Sequence, residues 1–234
     1  MSMTPATPAM GELRAEIDRI DAAILDLMER RVSLARSIAA AKPRTGALLL
    51  RPAREEQVVA CLSARARRVP HDSIAAIWRE LMGLTLQAQR PTPLVIHAPR
   101  HPGGVAGRAS ARFGATAPLV HADTPAEALD KARRLHAVAV IELDRRDGWW
   151  RTLADDPDFA VIDELRAPGG RGSALAVGRI AREHLAAERS WLVIEEADLA
   201  TRLRRGEAVC PLAASGTLRL CIVEAMPALT LTAA

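Results

Sequence analysis

Seven side chains in this 234-residue sequence invite a chemical reading: Arg14, Arg31, Lys42, Arg54, Glu55, Thr85 and Gln89. In "ILDLMERRVSLARSIAAAK" (24–42), Ile24, Leu27, Met28, Ala35 and Ile38 recur at helical spacing, and Arg31 falls in the same stripe. Lys42 follows eleven residues later. Eleven residues turn a helix by about 1100°, three turns plus about 20°, so Arg31 and Lys42 share a face. Arg14 precedes Arg31 by seventeen residues and points about 100° away from it. One straight helix cannot aim both arginines at one point. In a dimer it can offer Arg31 to its own site and Arg14 to its partner's.

Arg54 and Glu55 sit one turn into a second helical stretch, and Thr85 and Gln89 form an i,i+4 pair within the apolar "LMGLTLQAQ". The set holds four cations, one carboxylate and two neutral polar groups. Buried charges need partners, and one glutamate cannot neutralise four cations, so the surplus calls for an anionic ligand. Taken singly, each residue has a plainer account: Arg31 can snorkel, Glu55 can join a helix ion pair, and Thr85 and Gln89 can face solvent.

The elements that must position these groups fall into two halves. The periodicity predicts helices from about Glu12 to Lys42, from Pro52 to about Arg68, and from an Asp72 or Ser73 cap to about Arg90. "RPTP" then reads as a linker. From residue 93 the period changes. "PLVIHA", "APLVHA", "AVAVIEL", "FAVIDEL", "SALAVG", "SWLVIEE" and "LRLCIVEA" are strand-like, with helical stretches such as "PAEALDKARRLH" between several of them. Alternation of this kind predicts an α/β domain with a mainly parallel sheet. The first helix, about 31 residues, spans roughly 46 Å, too long for a small three-helix unit to cover alone. We therefore expect a homodimer with long helices packed along each other.

Composition narrows the classes. The net charge is +4, and the sequence has four Trp, two Phe and no Tyr, so stacking platforms for nucleic acid are poorly supplied. "ARARR" (64–68) reads as a solvated helix end. Cys61, Cys210 and Cys221 form no metal-ligand spacing with each other or with His, and a sparse odd set suits the cytoplasm. "MSMTPATPAM" has neither a basic nor an apolar segment, so no signal peptide is expected, nor a membrane span. "GGVAG" (103–107) reads as a plain turn rather than a phosphate cradle.

The stretches "LRAEIDRIDAAILDLMERRVSLARSIAAAK", "RPAREEQVV" and "IWRELMGLTLQAQ" resemble the all-α chorismate mutase family over residues 11–90. The resemblance places Arg14, Arg31, Lys42, Arg54, Glu55, Thr85 and Gln89 on the family's active-site positions and implies an intertwined dimer with sites shared between chains. Thr85 stands where Ser is common, and Arg51 where some members have Asp. The implied reaction is the Claisen rearrangement of chorismate to prephenate, without metal or cofactor. On that basis Arg31, Lys42, Glu55 and Gln89 are the expected catalytic residues, and Arg14, Arg54 and Thr85 the substrate-binding ones, with Arg54 holding Glu55 in place.

Residues 93–195 more weakly resemble a reduced prephenate dehydratase domain. "VAVIEL" is similar to that family's V-P-I-E-N, and "GSALAVGR" to T-R-F-L-V-I-G-R. Leu143 replaces the Asn, and Gly172, Ser173 and Ala174 replace Thr-Arg-Phe, so dehydratase activity is not expected. The expected architecture is α + α/β: a three-helix mutase unit at 11–91 and a small α/β domain at 92–234. The alternatives are a bifunctional mutase–dehydratase and a non-catalytic helical dimer with a ligand-binding C-terminal domain.

Overall fold

A computed structural model describes residues 10–41, 46–144, 148–156, 159–169, 173–185 and 189–224. Lys42, Gly172 and the last ten residues lie outside the described residues. The chain divides between Pro43 and Arg44 into two compact units.

The first unit is one long helix, α1 (Met10–Ala40). Its apolar stripe is laid out as the spacing predicts, yet Leu13, Ile17, Ile20, Ile24, Leu27, Leu34 and Ile38 are all exposed in the single chain, Leu27 at 65%. Ala35 is the one buried residue of the helix.

The second unit begins with two more helices, α2 (Pro52–Arg65) and α3 (His71–Gln89), which pack on each other. Pro52 opens α2, as expected of a residue with no amide proton to satisfy. The α3 helix starts at His71 with Pro70 in the cap position and no side-chain cap, so neither Asp72 nor Ser73 plays that role. After α3, Gln87 exchanges two hydrogen bonds with the backbone of Thr92, at 3.0 and 2.9 Å, which fixes the turn into the sheet.

The sheet that follows contains β1 (Leu94–His97), β2 (Leu119–His121), β3 (Val138–Glu142), β4 (Phe159–Leu165) and β5 (Ala174–Arg179), in the order β2-β1-β3-β5-β4. The strands β1 and β3 are buried along their whole length, which explains their unbroken apolar runs. The helices α4 (Pro102–Phe113) and α5 (Pro125–Leu135) make the crossovers β1–β2 and β2–β3. Thr124 caps α5, its hydroxyl accepting from the Glu127 amide.

Two sequence expectations fail here. The sheet is mixed: β1 pairs in parallel with β2 and β3, but β5 runs antiparallel to both β3 and β4. A second sheet, β6 (Arg189–Glu195), β8 (Leu218–Glu224) and β7 (Val209–Ser215), is antiparallel throughout, and α6 (Glu196–Arg204) packs on it. The strands β4 and β5, consecutive in the chain, pair antiparallel, and β5 lies between β3 and β4, which consequently run in the same direction. "GGVAG" is not a turn but lies inside α4, which starts at Pro102. An all-helical description therefore fits α1, α2 and α3 and not the chain.

The sheet buries both faces. On one, Val105, Ala109 and Phe113 of α4 join Leu48, Leu50 and Leu86 against Leu94, Ile96, Val138 and Val140. On the other, Ala128, Leu129 and Ala132 of α5, with Trp149 and Trp150, cover Val95, Ala139 and Ile141, and Ala213 and Leu220 of the second sheet close that side. One core thus contains residues from both sides of the "RPTP" linker. The α3–α4 contact is especially close. A Cβ on Gly83 would collide with the carbonyl oxygen of Phe113 and stand 2.6 Å from the Cα of Gly114, which has φ +97°. Glu80 fastens the same crossing by accepting from the Ala115 amide at 2.9 Å.

Gly83→Val should therefore force two backbones apart. The expected cost is about 1–3 kcal/mol, as for other overpacked sites. It should appear in a thermal unfolding experiment as a fall in midpoint of several degrees.

Candidate functional site

An irregularity in β4 shapes a polar cleft of the second unit. Phe159 and Val161 face the α5 side and Ala160 and Ile162 the α4 side. Between Val161 and Asp163 the register against β5 slips by one residue. Such a bulge reverses the alternation, and Asp163 consequently joins Ile162 on the α4 side.

There Asp163 meets Arg112, in the last turn of α4. The guanidinium donates through Nε to Asp163 Oδ2 at 2.5 Å and through Nη1 to Glu55 Oε2 at 2.8 Å. Glu55 lies in the first turn of α2, where the helix dipole favours a carboxylate. The guanidinium also lies over the Phe113 ring, 5.0 Å from its centroid. All three charged side chains are largely buried, Arg112 at 13% exposure. Burial alone would weaken the Arg112 charge, but the two carboxylates outweigh it and hold its pKa above the ordinary arginine value. The triad lines a cleft of about 480 Å³ together with His71, Arg79 and Met82.

Of the seven residues singled out by sequence, only Glu55 lines this cleft among the described residues. Arg54 points elsewhere: it is exposed and makes no ion pair with Glu55, so the expected Arg54–Glu55 support is replaced by Arg112. Thr85 is buried, and its hydroxyl donates back to the Leu81 carbonyl within α3. Gln89 is partly buried in the last turn of α3. Arg51 turns away to donate to His184 Nε2 at 2.6 Å. In the first unit Arg14 is exposed, whereas Arg31 is partly buried and its pKa is lowered by that burial. Lys42 lies outside the described residues.

Sequence reading missed Arg112 and Asp163. Phe113 in "ARFG" marks one buried face of α4, but nothing local says that the arginine beside it meets two carboxylates. The alternation in "FAVIDEL" points Asp163 to the wrong side until the bulge is known.

A second polar cluster lies at the carboxyl ends of β1 and β3, where connections leave the sheet in opposite directions and open α/β folds commonly take ligands. Here the position is filled from within. The Glu142 carboxylate, 1% exposed, accepts from the amides of Arg100 and His101 at 3.1 and 3.4 Å and from His101 Nδ1 at 2.5 Å, at the N-terminus of α4. Burial alone would raise the Glu142 pKa, but the hydrogen bonds from His101 and Arg100, aided by the Arg100 charge, hold it below the ordinary 4.5.

The chain is thus a helical stretch followed by a mixed α/β region. More specifically, residues 13–90, one third of the chain, match the family model described as chorismate mutase type II. No curated protein and no solved structure matches the chain. The family match ends at residue 90, so it does not reach the α/β region, and no family match supports the dehydratase resemblance. Among the described residues no helix is long and apolar enough to cross a membrane.

Because the folded state lowers the Glu142 pKa, the stability this carboxylate contributes is present above its unfolded pKa. It is lost as pH falls through the folded value, which lies below 4.5. Glu142→Gln should cost about 1–3 kcal/mol at pH 7. In urea unfolding the gap between variant and parent should narrow toward pH 3.

Proposed function

We propose that this protein is a chorismate mutase, an isomerase that converts chorismate to prephenate in aromatic amino acid biosynthesis. The observation that carries the reading is the family match over residues 13–90, which contains all seven sequence-derived site positions. The match reaches family level, and the assignment of activity and roles is our own.

Each role follows from the reaction. The rearrangement is intramolecular and needs no proton transfer, so the protein must fold a flexible dianion into a reactive conformer and stabilise the charge that develops. Arg31 grips a substrate carboxylate through the guanidinium fork, and Arg14 does so from the partner chain. Thr85 donates to the ring carboxylate. As the C–O bond breaks, negative charge grows on the ether oxygen, and Lys42 with Gln89 stabilises it in a dry site. Glu55 accepts from the substrate hydroxyl. Arg54, exposed and not paired with Glu55, is given no role in this reading. Gln89 stays neutral at any working pH, so it donates its hydrogen bond without requiring acid.

A homodimer belongs to the same proposal. The exposed stripe from Leu13 to Ile38 on α1 is the surface expected of a helix that is covered by a second copy. Residues 11–91 then form the chemical unit and 92–234 a companion domain, in the cytoplasm, with no cofactor, metal, nucleic acid or membrane partner. We assign no dehydratase chemistry to the companion domain, because Leu143, Ser173 and Ala174 lack the side chains that the dehydratase resemblance requires.

Purified protein should consume chorismate and form prephenate, followed by loss of the chorismate absorbance, and should form no phenylpyruvate. Arg31→Ala or Lys42→Ala should each lower kcat by about 10²–10³, as removal of an oxyanion donor does. Unchanged rates in both variants would refute these roles. In sedimentation experiments Ile20→Asp should shift the parent dimer toward monomer.

A further inference from the structure

We infer that Arg112, which lies beyond the family match, is a positioning residue for Glu55, so that the α/β region supplies part of the mutase machinery. The inference rests on the function proposed above and extends it to a residue that the mutase resemblance does not cover.

The geometry carries the argument. A glutamate that accepts a hydrogen bond from a substrate hydroxyl must present one carboxylate oxygen in a fixed direction. Glu55 engages Arg112 through Oε2, and Oε1 makes no hydrogen bond among the described residues. The arginine is itself immobilised. Its Nε is tied to Asp163, its Nη1 to Glu55, and its planar face rests on Phe113. A guanidinium bonded through two different nitrogens to two carboxylates cannot rotate without losing one of them, so the pair fixes orientation as well as charge.

The backbone supports the same arrangement. The bulge in β4 exists at the position that turns Asp163 toward α4. The Gly83–Gly114 contact, at the C-terminal end of the helix that carries Arg112, sets the depth at which α4 lies on α3. Glu80, bonded to the Ala115 amide, pins the end of α4 one turn after Arg112. Each device places Arg112 against Glu55. Arg54, the adjacent arginine on α2, is exposed and makes no such pair. A lysine at 112 would retain the charge but, as a point donor on a flexible stem, would not bridge both carboxylates in one orientation.

A substrate comparison separates positioning from mere structural support. Chorismate is compared with an analogue that retains both carboxylates and the breaking C–O bond but lacks the ring hydroxyl. Arg112→Gln should lower kcat/KM for chorismate by about 10- to 100-fold, the scale of a small misplacement at a reacting centre. The hydroxyl-free analogue gains nothing from Glu55, so its kcat/KM should fall by no more than about 3-fold, within the range of ordinary context effects. Arg112→Lys should recover part of the loss. Asp163→Asn keeps the guanidinium and its bond to Glu55 while loosening the other anchor. It should give a smaller loss with the same dependence on the hydroxyl, and it carries the test if Arg112→Gln does not fold.

Equal losses on both substrates, or no loss on either, would overturn the positioning role while leaving the mutase reading intact. An unmodified protein that leaves chorismate unchanged would overturn both.

Discussion

A guanidinium held between two carboxylates ties together parts of the chain that are far apart in sequence. Arg112 joins Glu55 near the start of α2 to Asp163 at the bulge of β4, across separations of 57 and 51 residues. Removing either carboxylate would leave a buried charge short of a partner, which is among the costlier single changes a folded protein can suffer. The interaction therefore constrains more than itself. It requires the end of α4 to lie beside α2 and β4, and where that same end meets α3 two glycines make the approach sterically feasible.

The same packing explains why the helical and α/β regions do not behave as separate beads on a string. Leu48, Leu50 and Leu86 share a core with the strands of the first sheet. The long first helix is different: the apolar residues of its stripe are exposed. A surface of this kind is stable in water only when something apolar lies over it. The second unit supplies its own core, whereas the first presents the surface that the proposed homodimer would cover.

Much of this was legible in the sequence, for identifiable reasons. The helices α1, α2 and α3 announce themselves by apolar spacing and by Pro52, and the strands β1 and β3 by unbroken apolar runs that a doubly covered sheet demands. The mixed direction of the sheet was not legible, because strand direction depends on how strands meet in space, and nothing local says that β5 inserts antiparallel between β3 and β4. The strand β7 escaped notice because Pro211 interrupts a weak pattern, beside another register slip. Of the candidate site, Glu55 was visible as the one carboxylate set among four cations. Its partner Arg112 was not, since a long-range ion pair leaves no trace in local spacing.

Gly83 also bears on descent. A helical unit of this type attached to some other module, or standing alone, would not meet the backbone of a neighbouring helix at this point and would be free to carry alanine, leucine or methionine there. A chain that keeps this α/β companion in place is denied that freedom. Position 83 thus records, in one missing methyl group, that a neighbouring backbone passes within contact distance.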